Sequence, residues 1–155
     1  FTFRQHLLHG FMTAVRTAGV EYEILDGISL DSNASAIEAA IQKRFAAPNA
    51  PDGLVLPGDV SGLAVLAAIQ DLGLVPGQDV QLVVKQTSGV FDLVRPKVAS
   101  LYEDLSEAGE MLADLLLKRI AGAPVTELQY IQPISGRPPA SDTLSDPQLR
   151  APGVS

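Results

Sequence analysis

At 155 residues, with 46% hydrophobic and 19% charged residues, the chain is long enough to bury a core of its own and too apolar to be disordered throughout. Having no cysteine, it has no disulfide, zinc–thiolate site or cysteine nucleophile, which is compatible with any compartment. Lys and Arg number 11 against 18 Asp and Glu, and the net charge of −7 argues against nucleic-acid binding by this segment itself while favouring solubility.

The longest apolar run, Leu63 to Leu72, is broken by Gln70 and Asp71 and falls short of the ~18–20 residues a membrane span requires. The opening Phe-Thr-Phe-Arg-Gln-His has neither the charged start nor the cleavage site of a signal peptide. It also lacks an initiator Met, so the chain reads as a fragment.

From the amino terminus, Leu7, Phe11, Ala14 and Val15, with Leu8 and Met12 beside them, have the 3–4 spacing of an amphipathic helix over 3–18 that stops at Gly19. Val20 to Leu25 alternates apolar and polar residues and predicts a short strand, followed by a polar loop from Asp26 to Asn33. Ser35-Ala36-Ile37-Glu38 matches a capping box ahead of Ile37, Ala40, Ile41 and Phe45, which predicts a helix from about 36 to 46. After the turn residues 49–53, Leu54-Val55-Leu56 has the continuous apolar character of a parallel strand covered on both faces. Asp59 is then placed to cap a helix from Val60 to Asp71 that Gly73 stops.

Beyond the Pro76-Gly77 turn, Val80 to Val84 predicts a second buried strand, Ser88 to Lys97 has no clean period, and Val98 to Tyr102 suits a third short strand. Asp104 to Ala121 is the strongest helix, with seven apolar positions at 3–4 spacing and Lys118 and Arg119 in its last turn. Glu127 to Ile134 alternates like a strand, and from Ser135 onward Pro, Ser, Gly and Asp predict a flexible tail over 135–155. Alternating helices and short apolar strands define an α/β fold with a doubly wound parallel sheet. Ligands in such folds bind beyond the carboxyl ends of strands, at the loops 26–33, 57–59 and 85–90.

No cofactor motif is present: neither Gly-x-Gly-x-x-Gly after a strand nor a phosphate-binding loop occurs. Gly58-Asp59-Val60-Ser61-Gly62 sets its serine one place late for a nucleophile elbow, and no histidine lies near it in sequence. His6 and His9 share a helix face without an evident third metal ligand, and Asp26, Asp31 and Asn33 miss the spacing of a calcium loop. Asp59 has two readings: a helix cap alone, worth ~1 kcal/mol, or a cap that also accepts a hydrogen bond from a ligand hydroxyl.

Taken in order, several stretches resemble the C-terminal half of the sensor domain in the LacI/GalR family of bacterial transcriptional regulators. These are Gly10-Phe11-Met12-Thr13-Ala14-Val15 with Ala18-Gly19-Val20, and Pro51-Asp52-Gly53-Leu54-Val55-Leu56-Pro57-Gly58-Asp59. Leu72-Gly73-Leu74-Val75-Pro76-Gly77 and the helix Asp104 to Gly122 continue the series, so that the resemblance covers about residues 3 to 134. It implies a periplasmic-binding-protein-like sensor of two lobes, of which residues 1–134 are most of the second lobe plus the helix that crosses back to the first. It further implies a cytoplasmic regulator with no catalytic activity and no cofactor, which binds a sugar or related metabolite, forms a homodimer and contacts operator DNA only through a helix-turn-helix outside this chain. A solute-binding protein of the periplasmic sugar-binding class is the alternative.

Carried over position by position, the resemblance assigns ligand binding to Arg4, Leu7, Leu30, Asp31, Gly58, Asp59, Gln86 and Thr87. Four of these positions depart from the family's pattern. Gly58 stands where members often have Asn, Thr87 where they have a ligand-binding Asp, Leu7 where they have a sugar-binding Arg (with Arg4 as a substitute), and Leu30 or Asp31 where an aromatic is common. A typical hexose pocket uses that Asp and Arg on vicinal hydroxyls and stacks the aromatic on the ring, so the departures point away from a typical hexose. The resemblance also places a two-fold interface at Ser32, Ile37, Gly62, Leu66, Val90, Phe91, Leu93 and Val94. The competing expectation is that Phe91 and Val94 fill the local core.

Overall fold

The computed structural model describes residues 2–29 and 32–137. Four helices, α1 (Thr2–Ala18), α2 (Ala34–Ala46), α3 (Asp59–Asp71) and α4 (Leu105–Ile120), accompany four strands, β1 (Gly53–Leu56), β2 (Gln81–Gln86), β3 (Ala99–Tyr102) and β4 (Ser135–Arg137). The strands form one sheet in the order β1-β2-β3-β4, parallel from β1 through β3. β4 runs antiparallel to β3, with Tyr102 opposite Ser135. The parallel α/β core is as expected, and an antiparallel edge strand makes the sheet mixed.

The core lies between one face of this sheet and the layer of α2 and α3. Ile37 and Ile41 of α2, Ala64, Val65, Leu66, Ala68 and Ile69 of α3, and Leu82 and Val84 of β2 are all buried in it. Leu82, Val84 and Gln86 alternate inward along β2, the period-2 placement a strand imposes. Val55 of β1 points to the other face and is 50% exposed, so β1 is covered on one side only and the expectation of two covered faces is corrected.

One close approach sets the spacing of α3 above the sheet. A Cβ on Gly62 would lie 2.3 Å from Cζ of Phe91 and 2.9 Å from Cγ1 of Val84, so only glycine admits the ring here. Gly62→Ala is therefore expected to destabilise the chain by about 1–3 kcal/mol through overpacking, measured as a lower urea midpoint with an unchanged m value. An unchanged midpoint would mean that the ring moves aside freely.

Four local expectations are revised. α2 begins two residues earlier than the Ser35 box implies, because Asn33 Oδ1 accepts the Ala36 N–H at 2.9 Å and caps the helix in place of Ser35. Val20 to Leu25 joins no ladder; it is tied down by Glu23, paired with Arg44 at 2.8 Å, and by Leu25 packed against the core. Glu127 to Ile134 is likewise not a strand: a 3-10 turn covers Val125–Glu127, and Gln132 Nε2 donates to Asp104 O at 2.8 Å. Pairing with β3 comes instead at Ser135–Arg137, inside the segment expected to be tail; residues 138–155 lie outside the described residues.

α4 forms as its sequence predicts, with Asp104 Oδ1 accepting the N–H groups of Ser106 and Glu107 at 3.0 Å and Lys118 and Arg119 in the last turn. None of its residues is buried, and Leu112, Leu116, Leu117 and Ile120 are 60–73% exposed. Ala108, Met111 and Leu115 of the same stripe are half-buried, so among the described residues α4 keeps one apolar side exposed.

Candidate functional site

The carboxyl ends of β1 and β2 lie side by side in the parallel register, Leu56 opposite Val84, and the chain leaves both toward the first turn of α3. Asp59 stands there as the first residue of the helix. Gly58 occupies the cap position and makes no side-chain cap bond, so the expectation that Asp59 caps α3 is corrected. The carboxylate reaches across to the turn after β2. Its Oδ2 accepts from Thr87 N and Thr87 Oγ1 at 3.3 Å each and from Ser88 N at 3.2 Å. The first turn of a helix also favours a negative charge. The other oxygen, Oδ1, is buried and has no hydrogen-bond partner among the described residues.

This arrangement locks two loops together and sets what the turn can offer a ligand. Thr87 Oγ1 donates its only proton to Asp59, so toward any ligand it presents lone pairs alone. Ser88 Oγ accepts the Val90 N–H at 3.3 Å and keeps its proton for donation. The turn thus holds one neutral acceptor and one neutral donor next to each other, chemistry suited to binding a polar molecule. No hydroxyl here is bonded to a histidine: Ser61 Oγ donates to Gly58 O at 2.8 Å. His6 and His9 are exposed on α1, where neither imidazole has a partner among the described residues. Among those residues no three His, Asp or Glu side chains come together as a metal site.

Of the ligand-binding positions expected from sequence, Gly58, Asp59 and Thr87 do meet at this turn. Gln86 does not face it: its side chain is fully buried, with Nε2 donating to Ser100 Oγ at 2.9 Å and Oε1 accepting from Phe91 N at 3.2 Å. That corrects its expected contact with ligand, because a side chain with 0% exposure and an amide bonded at both ends has no group to offer. Arg4 is exposed and Leu7 half-buried on α1, with no hydrogen bond or ion pair joining Arg4 to the Asp59–Ser88 cluster among the described residues. Leu30 and Asp31 lie outside the described residues.

Among the positions expected at a two-fold interface, Ile37, Gly62, Leu66 and Phe91 are core residues. This corrects a surface built on them: Phe91, 2% exposed, is held against Gly62, and Ile37 and Leu66 pack where α2 meets α3. Val90 and Val94 are half-buried against the same core, as the competing expectation had it for Val94. Ser32 is half-buried in the loop before α2, where its Oγ accepts the Ser29 N–H at 2.9 Å. Leu93 alone of the set is open, at 81% exposure. Val60 and Leu63, three apart on α3, are exposed apolar residues that the sequence reading missed. Gly62 and Leu66 select the buried phase of the same helix, and period alone does not say which phase faces outward.

The fold is an α/β sheet with its polar turn at the carboxyl edge of parallel strands, the place where folds of this class bind ligands. The family model of the periplasmic binding protein-like domain matches residues 2–137, and the chain belongs to that family. Among solved structures it is similar to a regulatory protein of the LacI family from Chloroflexus aggregans, at 20% identity and a TM-score of 0.66 over 74% of this chain and 42% of that one. It is also similar to a LacI family transcriptional regulator from Bifidobacterium animalis subsp. lactis (20% identity, TM-score 0.72, 84% and 47%). A third likeness is to a LacI family transcriptional regulator from Arthrobacter sp. FB24 in complex with lactose (20% identity, TM-score 0.62, 72% and 40%). The chain thus spans less than half the length of each of these three structures. A search of curated proteins finds no match.

Proposed function

We propose that this chain is most of the second lobe of the two-lobe effector sensor in a LacI-type bacterial transcriptional regulator. The observation that carries the reading is the shared fold with regulators of that family, of which this chain spans only part. In this reading α4 lays its exposed leucines on the other lobe, and residues 1–134 with β4 form the lobe and its crossover helix; beyond Arg137 the tail expected over 135–155 lies outside the described residues. A small polar metabolite, sugar-like and uncharged where it meets Thr87 and Ser88, binds between the lobes with Gly58 and Asp59 shaping the near wall and Arg4 or Leu7 flanking it. The Arthrobacter relative's complex with lactose supports a sugar-like effector. Leu93, with Val90, Val94 and Ser32 beside it and Val60 and Leu63 on α3, supplies apolar surface for a two-fold contact with a second copy. The regulator acts in the cytoplasm, without catalysis, and closure of the lobes by effector shifts the population of DNA-competent dimers. DNA itself is met by a helix-turn-helix outside this chain, in keeping with the charge of −7 here.

The test is calorimetric titration of the full-length protein and of this 155-residue chain with lactose and a panel of neutral monosaccharides. The full-length protein is expected to bind one of them at micromolar Kd. The lobe alone should bind at least about 100-fold more weakly, since each 1.4 kcal/mol of lost contact is tenfold in Kd. Equal affinity of the two, or no binding to the full-length protein across the panel, would overturn the reading.

A further inference from the structure

Gln86 ends β2 between the two surfaces just assigned, and its amide bonds join them. Nε2 donates to Ser100 Oγ on β3, and Oε1 accepts the buried N–H of Phe91. The next two residues, Thr87 and Ser88, are held by Asp59 at the start of α3, and the ring of Phe91 closes on Gly62 of the same helix. Gly89, at φ +72°, is the left-handed joint between the two holds. From there Asp92 N donates to Gly89 O at 3.1 Å and Leu93 N to Val90 O at 3.0 Å, closing a short 3-10 turn that carries Leu93. Lys97 Nζ donates to Asp92 O at 2.6 Å and fixes the far end of that turn. Segment 86–93 is therefore hydrogen-bonded to β3 through Gln86 and to α3 through Asp59, and packed on α3 again through the Phe91 ring at Gly62.

We propose that Gln86 is a positioning residue that couples the turn at Thr87–Ser88 to the loop bearing Leu93, so that displacement of the turn moves Leu93. What the two ends contact rests on the functional reading above; the coupling itself rests on these bonds. An apolar side chain of similar size would fill the same volume but leave the Phe91 N–H without an acceptor, and buried donors are paired in stable folds. Packed segments of this kind shift between discrete arrangements more readily than they stretch, which is what transmission requires.

The test is amide hydrogen exchange of the 155-residue chain, read at Phe91–Leu93. Gln86→Leu is expected to speed exchange there about tenfold, the effect of one lost buried hydrogen bond. Thr87→Val, which disturbs only the polar turn, should raise exchange at Phe91–Leu93 about threefold in the wild-type background and not at all in the Gln86→Leu background, a non-additivity that isolates the coupling. Ser100→Ala loosens the same amide while keeping the Phe91 bond; it stands in if Gln86→Leu does not fold, and should at least halve the transmitted effect. A Thr87→Val effect confined to residues 87–88, or one of equal size in both backgrounds, would overturn the proposal. Since the readout uses no effector, a full-length protein silent to every sugar would fail the functional reading and leave the coupling standing.

Discussion

Phe91→Ala is expected to cost about 3–5 kcal/mol of unfolding free energy, the range for truncating a buried aromatic ring. Leu93→Ala, two residues along, should change stability by no more than about 0.5 kcal/mol. The contrast follows from placement. The ring of Phe91 fills the space above Gly62 and Val84, whereas Leu93 extends from the 3-10 turn into solvent. For a chain of this size the first change corresponds to a midpoint lower by roughly 10 °C. Urea unfolding of both variants decides it, and similar losses would mean that the loop is held by something other than the ring. The same placement selects the variant for an association test. Leu93→Asp should abolish a dimer seen by light scattering without loss of stability; an aspartate at position 91 would unfold the chain instead. A dimer that survives Leu93→Asp would move the contact elsewhere.

Asp59→Ala is expected to be nearly as damaging, at about 2–4 kcal/mol. It strips the acceptor from three donors at once, leaving the part-buried Thr87 N–H without a partner and the exposed Ser88 N–H to water. Thr87→Val removes only the hydroxyl bond, at 3.3 Å a long one, and should cost about 1 kcal/mol or less. Asp59→Asn keeps one acceptor oxygen for the turn and should fall between the two. Thermal unfolding of the three variants checks the order. Equal losses for Asp59→Ala and Thr87→Val would show that the carboxylate does not organise the turn.

Where the chain's own chemistry settles a feature locally, the sequence is enough to read it. The spacing from Leu105 to Ile120, the Asp104 cap and the basic last turn specify α4 without reference to any other element. The runs at Leu54–Leu56 and Val80–Val84 specify β1 and β2 by their short length and apolar, β-branched character between turn residues, although β1 is covered on one face only. The order of helices and strands then leads to a parallel α/β sheet and to polar turns at its carboxyl edge. The meeting of Gly58, Asp59 and Thr87 was legible on the same grounds, since all three lie just past the ends of adjacent strands.

Tertiary structure decided the rest, wherever a residue has two chemically acceptable partners or a segment needs one that is far away. Val20–Leu25 and Glu127–Ile134 alternate as well as β3 does, yet a strand requires a neighbouring edge in register, and only Ser135–Arg137 meets one. Asn33 and Ser35 are both competent caps, and the geometry of the loop before α2 selects Asn33. The Asp59 carboxylate can cap its own helix or reach the next loop, and the parallel pairing of β1 with β2 brings Thr87 within range of it. Gln86 is polar in sequence and fully buried in the fold because Ser100 and the Phe91 N–H happen to satisfy both ends of its amide. The inward turn of Phe91, and the outward turn of Leu93, depend on a glycine nearly thirty residues earlier whose missing side chain leaves room for a ring, a coincidence of surfaces that no local pattern encodes.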